Sequence, residues 1–165
     1  MPGQLLVSDA NVLIDMDAGG LLKAMFALDY DFAVPDILFE EELKAQYPEL
    51  PRFGLKSLEL KEKAVEYAAE LAVEYEQAGV SRNDLIALAL ASQETCPLLT
   101  GDSRLRRVCE DKEVDVHGTL WLVGQMMEQK VIGLAAARRA YRAMRDAGRR
   151  LPWNEVDKQL ESFRK

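Results

Sequence analysis

Short apolar runs typical of β-strands alternate along this chain with longer segments of helical periodicity, and this alternation limits the fold more than any other feature. The predicted strands cover residues 4–8, 31–34, 97–100 and 114–116. Because helices separate these strands, we expect the strands to run parallel and to be covered by helices on both faces. The sequence therefore predicts a three-layer α/β/α fold with a doubly wound, mainly parallel sheet.

Helical patterning fills the segments between the predicted strands. The predicted helices cover residues 12–28, 36–47 and 57–78, and others begin at Ser81, Ser103 and Thr119. Asp36 is a suitable N-cap, because its side chain can accept a hydrogen bond from the first turn. After Thr119 the chain is predicted to be helical, with breaks at Gly133 and over residues 148–152.

Composition excludes several classes of protein and of site. No segment approaches the roughly 20 apolar residues of a membrane span, and no export signal is visible, so we expect a cytoplasmic protein with no membrane partner. Two cysteines and the single His117 rule out a disulfide framework and a Cys/His zinc cluster. The glycine patterns of phosphate loops and dinucleotide-binding folds do not occur. Chemistry in this chain is therefore expected to depend on carboxylates.

Charge is spread unevenly along the chain. A net charge of −7 disfavours nucleic acid as a partner, because phosphates favour basic surfaces. Between residues 136 and 150, however, six arginines and one acid leave a local charge of +5; the arginines are Arg138, Arg139, Arg142, Arg145, Arg149 and Arg150. We expect most of them to form a solvated helix face.

Carboxylates occupy positions where an α/β sheet places its ligand site. Asp9 ends the first strand and Asp102 lies just past the third, and ligands of such sheets bind beyond the carboxyl ends of the strands. Asp84 opens a buried helix, three residues after Ser81, which is also the spacing of a capping box. Each of these acids alone also fits a helix cap or a turn, so only their combination indicates a site.

A fourth acid comes from the consecutive glutamates at positions 40–42. Helical periodicity places Glu41 on one stripe with three apolar residues, Ile37, Leu38 and Ala45. A charge within an apolar face is costly unless another group pairs with it. Periodicity therefore favours Glu41 as a site residue, and Glu42 replaces it if the helix is rotated.

Four converging carboxylates require a counter-charge. Asp9, Glu41, Asp84 and Asp102 would repel one another strongly in surroundings of low dielectric constant. Hard divalent cations that prefer oxygen ligands, Mg²⁺ or Mn²⁺, are the usual means of stabilising such a cluster. We therefore predict that these four residues bind metal and carry the catalysis.

Several segments, in order along the chain, resemble the successive motifs of the PIN-domain nucleases. They are residues 7–14, Val34-Pro35 with Glu41, residues 83–89 and residues 99–105, followed by residues 118–120 and 130–132. The resemblance implies a central acidic pocket in which the four carboxylates bind metal while Asn11 and Thr100 support them. We expect a nuclease domain over residues 1–132 and a helical C-terminal extension over residues 133–165, packed on that domain.

The resemblance also implies a function. Members of this family cleave single-stranded RNA with Mg²⁺ or Mn²⁺, leaving a 5′-phosphate and a 3′-hydroxyl. If this chain does the same, Arg104 and the strip from Arg138 to Arg150 could guide the RNA backbone. Many prokaryotic members are toxins that a cognate antitoxin protein neutralises, and homodimers are frequent among them. We therefore expect a ribonuclease toxin of a type II toxin–antitoxin pair, with a homodimer as its assembly.

Two alternatives belong to other functional classes. The first is a non-catalytic PIN-like module that uses its surface to bind a partner. The second is a phosphatase that forms an aspartyl phosphate, suggested by Asp15 and Asp17. Such enzymes need a second aspartate two residues after the one that ends the first strand, whereas Asn11 occupies that position here. We expect Asp15 and Asp17 to lie on an exposed helix or turn.

Overall fold

Five parallel strands form one sheet in the structure, a computed structural model that describes residues 3–164. The strands are β1 (Gln4–Ser8), β2 (Tyr30–Pro35), β3 (Lys56–Leu58), β4 (Leu98–Leu99) and β5 (Val116–His117). Their order is β3-β2-β1-β4-β5, and each neighbouring pair is parallel. The predicted parallel, doubly wound sheet is confirmed.

The direction of winding reverses at β1. From β1 the chain proceeds outward through β2 and β3, then returns to the other side of β1 to form β4 and β5. Val7 is paired with Leu98 and Ser8 with Leu99, and the Asp9 amide donates to the Leu99 carbonyl oxygen at 3.0 Å. The loops that follow β1 and β4 therefore lie side by side, at the point where open α/β sheets bind ligands.

Helices connect the strands and continue beyond the last of them. Within residues 3–164 they are α1 (Ala10–Ala18), α2 (Leu22–Ala27), α3 (Asp36–Leu38), α4 (Leu50–Phe53), α5 (Glu62–Glu74), α6 (Arg82–Glu94), α7 (Ser103–Asp111), α8 (Thr119–Glu128), α9 (Leu134–Asp146) and α10 (Trp153–Ser162). Helix α3 continues directly into a π-helical turn, Phe39–Leu43. None of these helices combines the length and apolar character needed to cross a membrane.

The sheet lies between two helical layers, as the sequence predicts. On one side α6 packs against β1, β2 and β4, and α5 covers α6. The middle of helix α6 is apolar, and its buried residues are Leu85, Ala87, Leu88, Ala89, Leu90 and Ala91. On the other side α1 packs with α2 and α8. The C-terminal α9 packs on α1 and α8, and α10 packs on α8 and α9.

Three details of the predicted fold are wrong. The helix predicted over residues 12–28 is two helices. Gly20 ends α1 because it adopts a φ of +69°, a conformation that glycine accepts at little steric cost. The helix predicted over residues 57–78 starts only at Glu62. Strand β3 occupies Lys56–Leu58 and was not predicted.

Candidate active site

Asp9 lies at the centre of the carboxyl edge of the sheet. Its residue surface is 2% exposed, and it caps α1 because its Oδ1 accepts a hydrogen bond from the Val12 amide at 2.9 Å. Its Oδ2 accepts a hydrogen bond of 2.6 Å from the Thr100 hydroxyl, which itself accepts one from the Asp102 amide at 3.1 Å. The loops after β1 and β4 are therefore connected through these side chains.

Burial makes the Asp9 carboxyl a weak acid. Loss of water is the main reason that its pKa is raised from 3.8 to about 7, and the negative charges of Asp84 and Asp15 act in the same direction. The hydrogen bonds from Thr100 and Val12 act in the opposite direction, since they stabilise the ionised form. A carboxyl held this way is ionised at neutral pH only in part, and a nearby cation would favour its ionised form.

Asp84 stands in the first turn of α6 and faces the same region. Ser81 caps the helix, accepting a hydrogen bond from the Asp84 amide at 3.1 Å, as the predicted capping box requires. Burial raises the pKa of the half-buried Asp84 carboxyl, and the charges of Asp102 and Glu42 add to the effect. Asp84 is thus coupled electrostatically to Asp9 on one side and to two further acids on the other.

Asp102 follows β4 and caps α7. Its Oδ1 accepts hydrogen bonds from the amides of Arg104 at 2.7 Å and Leu105 at 3.3 Å. The Arg104 Nε also lies 3.8 Å from that oxygen. One carboxylate oxygen of Asp102 is therefore engaged by the helix, and the other is the one available to a ligand.

Glu41 does not lie on an apolar face, so that basis for its selection is wrong. Its side chain is 47% exposed, and Ala45, predicted to share its stripe, is exposed as well. The residues that turn inward are Phe39 and Leu43. The π-helical turn, closed by a hydrogen bond of 2.8 Å from the Lys44 amide to the Phe39 carbonyl, adds a residue to the turn and rotates the glutamates outward.

Glu41 and Glu42 are both bound by the start of α6. Arg82 donates to both carboxylate oxygens of Glu41, at 2.8 and 3.0 Å, and Asn83 Nδ2 donates to Glu41 at 3.2 Å. These hydrogen bonds, that of Asn83 first, lower the pKa of Glu41. Asn83 Nδ2 also donates to Glu42 at 2.7 Å. The charge of Glu42 is among those that raise the pKa of Asp84.

The acids are neighbours but do not form a coordination shell in this arrangement. Among residues 3–164, no group of three or more His, Cys, Asp or Glu side chains is placed to hold a metal ion. The donor set nevertheless suits Mg²⁺ or Mn²⁺, because it consists of carboxylate oxygens. The buried Asn83 Oδ1 accepts no hydrogen bond from the described residues, so an uncompensated acceptor lies beside the glutamates.

A second polar network lies behind the acids. Asp15 is buried, contrary to its predicted exposure, whereas Asp17 is exposed as expected. Asp15 accepts hydrogen bonds from Arg149 Nε at 2.6 Å and from the Thr119 hydroxyl at 2.8 Å. Arg149 also donates to the Asn11 side chain at 3.3 Å. One arginine of the predicted strip thus fixes the first turns of α1 instead of standing in solvent.

Comparison with known proteins agrees with this geometry. A family model described as a PIN domain (DUF3368) matches residues 5–165, nearly the whole chain. No curated protein matches the chain. The order of the strands and the position of Asp9 and Asp102 at their carboxyl ends fit the fold that the resemblance implies. The chain therefore belongs to the PIN-domain nuclease family.

Proposed function

We propose that this chain is a metal-dependent endoribonuclease that cleaves single-stranded RNA. The observation on which the proposal rests is the buried Asp9 carboxyl, at the point where the winding of the sheet reverses. The negative charge of Asp84 adds to the raised pKa of this carboxyl. Both acids stand at helix N-termini, but capping alone does not require a buried carboxyl next to a second negative charge. A divalent cation bound between Asp9 and Asp84 would offset their repulsion.

Four positions supply the proposed ligands. Asp9 and Asp84 would bind Mg²⁺ or Mn²⁺ directly, with Asp102 and one glutamate of the π-helical turn completing the shell or orienting water. We propose Glu42 for that last position because its charge reaches Asp84, whereas Glu41 is already paired with Arg82. The sequence-based assignment of Glu41 remains the competing one, and substitution of each glutamate decides between them.

The chain's own groups prepare the carboxylates for this role. Thr100 donates to Asp9 Oδ2 and so fixes its orientation, while the α1 amide of Val12 holds Oδ1. The Asp102 amide completes the link through Thr100. A bound divalent cation supplies an activated water and stabilises charge that develops on the phosphate. Exposed arginines next to the acids, Arg104 first, would hold the RNA backbone.

Cleavage of a labelled single-stranded RNA by the purified chain tests the proposal. We expect cleavage with Mn²⁺, none with EDTA, and products with 5′-phosphate and 3′-hydroxyl ends. Asp84→Asn should abolish cleavage, whereas Asp17→Asn, which removes an exposed carboxylate of α1, should not change it. Glu42→Gln should reduce the rate more than Glu41→Gln. Cleavage that persists in EDTA or in Asp84→Asn would refute the metal mechanism.

A non-catalytic interaction module is the second candidate. It is favoured by the ion pair of Glu41 with Arg82 and by the capping bonds of Asp102, which occupy two of the acids without any ligand. This candidate predicts that Mn²⁺ does not raise the melting temperature of the protein, whereas a metal site predicts an increase that Asp84→Asn abolishes. The thermal shift therefore separates the two candidates without an activity assay.

We further propose the biological role that many family relatives have, a cytoplasmic toxin that a cognate antitoxin neutralises, acting as a homodimer. Induction of the chain alone should then stop growth, and co-expression of a small neighbouring reading frame should restore it. Growth unaffected by an active, induced chain would refute the toxin role and leave the nuclease proposal intact. Sedimentation measures the assembly.

A further inference from the structure

A groove of about 600 Å³ opens beside the acidic site, at the carboxyl edge of β4 and β5. Gly101 and Ser103, the two neighbours of Asp102 in the chain, form one side of it. The other walls include the aromatic rings of His117 and Trp121 and the side chains of Arg106 and Arg150. The groove is therefore continuous with the proposed catalytic acids but has a different chemistry, aromatic and cationic instead of acidic.

The aromatic wall is a stacked pair. The ring centroids of His117 and Trp121 lie 4.0 Å apart with 12° between the planes, and Tyr30 packs against Trp121 at 5.4 Å. Burial lowers the pKa of His117, and the nearby Arg106 charge acts in the same direction while Asp115 opposes it. Burial therefore favours the neutral imidazole, and the pair offers flat aromatic surface.

The cationic wall comes from two separate parts of the chain. Arg106 extends from α7 and its Nη2 lies 3.5 Å from the Thr100 carbonyl oxygen, close to the loop that holds Asp9. Arg150 is exposed and follows Arg149, whose bond to Asp15 anchors this segment against α1. Arg150 makes no ion pair with any residue between 3 and 164. Glu155 is the one acid of the lining.

We propose that this groove binds one nucleotide of a single-stranded RNA next to the cleaved bond, with the base against the His117–Trp121 pair and its phosphate at Arg106 and Arg150. A flat base stacks on aromatic rings whatever its sequence, and guanidinium groups bind phosphate oxygens at two points. A base inside a duplex has no free face to offer, so the groove selects unpaired strands. This inference rests on the proposed function for the identity of the ligand.

Fluorescence of Trp121 tests the groove directly. The chain has two tryptophans, so Trp153→Phe leaves Trp121 as the only one, and Asp84→Asn in the same protein prevents cleavage during the titration. With Mg²⁺ present, a single-stranded RNA decamer should quench the emission in a saturable manner. The same decamer paired with its complement should not. Equal quenching by the duplex would overturn the proposed stacking.

Substitutions in the groove separate stacking from phosphate binding. His117→Ala should weaken binding of the decamer by roughly 5- to 100-fold, because it removes part of the stacking surface. Arg150→Ala should weaken binding and reduce the dependence of log affinity on log salt by about one. Arg52→Ala removes an exposed arginine of α4 that does not line the groove, and it should change neither. Binding that is the same in Arg150→Ala and Arg52→Ala would overturn the phosphate contact.

The outcomes also separate this inference from the proposed function. Metal-dependent cleavage by the wild-type chain, with no quenching of Trp121 and no effect of Arg150→Ala, refutes the groove and leaves the nuclease proposal standing. The opposite result is saturable quenching that His117→Ala weakens, together with a wild-type chain that never cleaves RNA with Mn²⁺. That result supports the groove and refutes the catalytic proposal. Absence of both binding and cleavage overturns both.

Discussion

Replacement of Asp9 by asparagine should stabilise the metal-free protein much more at pH 8 than at pH 5. Burial raises the pKa of the Asp9 carboxyl from 3.8 to about 7. The folded protein therefore binds this proton more tightly than the unfolded chain does, and the protonated carboxyl stabilises the fold. That stabilisation is complete below pH 3.8 and is lost as the pH rises to about 7. Asparagine carries no charge at either pH and keeps an oxygen for the Val12 amide.

The magnitude follows from the two pKa values. One unit of difference between the folded and unfolded pKa values corresponds to about 1.4 kcal/mol. At pH 5, about two units below the folded pKa, the proton on Asp9 still stabilises the fold, whereas at pH 8, above that pKa, almost none of this stabilisation remains. The wild type therefore has about 2.6 kcal/mol more stabilisation from Asp9 at pH 5 than at pH 8. The variant has no such dependence at this position. The gain in free energy of unfolding on Asp9→Asn should therefore be larger at pH 8 than at pH 5 by about 2.6 kcal/mol.

Urea unfolding in EDTA measures this difference. Urea titrations of the wild type and of Asp9→Asn are measured at both pH values. Subtracting the two free energies of unfolding removes the contribution of every other titrating group that the substitution leaves unchanged. Asp17→Asn is the matched control, because it removes an exposed carboxylate of the same helix, and its effect should differ between the two pH values by less than about 0.5 kcal/mol. A difference for Asp9→Asn below about 1 kcal/mol would refute the assignment of a raised pKa to Asp9.

Three further substitutions test the surroundings of the site. Arg149→Met should lower the free energy of unfolding by about 3 kcal/mol, because it leaves the buried Asp15 without its ion-pair partner. Adding Asp15→Asn should recover part of that loss in the same urea assay. An unchanged stability would show that solvent already compensates the charge. Leu88→Ala, at the centre of α6, should cost about 3 kcal/mol through the cavity that it leaves, and a loss below about 1 kcal/mol would contradict tight packing there. Thr100→Val removes the hydroxyl that donates to Asp9, so calorimetric titration with Mn²⁺ should require a higher pH for the same affinity; an unshifted pH dependence would contradict the role of that bond.

The parallel, doubly wound sheet could be predicted because its central strands carry a local signal. The apolar runs of β1 and β4 are fully buried at their carboxyl ends, and each is followed by a capping aspartate. Strand β3 has no such signal, since Lys56 and Ser57 are exposed and only their pairing with β2 at the edge of the sheet makes them a strand. An edge strand of three residues is defined by tertiary contact, which periodicity does not report.

The same distinction applies to the site. Asp9, Asp84 and Asp102 occupy helix N-termini whose capping patterns are local, so the sequence was sufficient to place them at the ends of strands and helices. The direction of Glu41 depends on a π-helical turn, and projection at 100° per residue assumes that no such turn exists. The hydrogen bond from Arg149 to Asp15 joins residues 134 positions apart, for which the sequence offers no local signal. Boundaries at residue 132 and the metal ligands themselves stay predictions.

The position of the arginines reconciles an acidic chain with the proposed RNA substrate. Arg82 lies 2.8 Å from Glu41 and Arg104 lies 3.8 Å from Asp102, so two acids near the site already have guanidinium partners. Both arginine side chains are more than half exposed, and water screens such pairs so well that they contribute little stability. In the proposed metal-bound form, Glu41 would keep Arg82 and one oxygen of Asp102 would keep Arg104, so both guanidinium groups would stay next to the site. Their remaining N–H donors match the geometry of phosphate oxygens. Affinity for RNA would then depend on these local contacts, and the net charge of −7 would act only as a weaker, salt-screened repulsion at longer range.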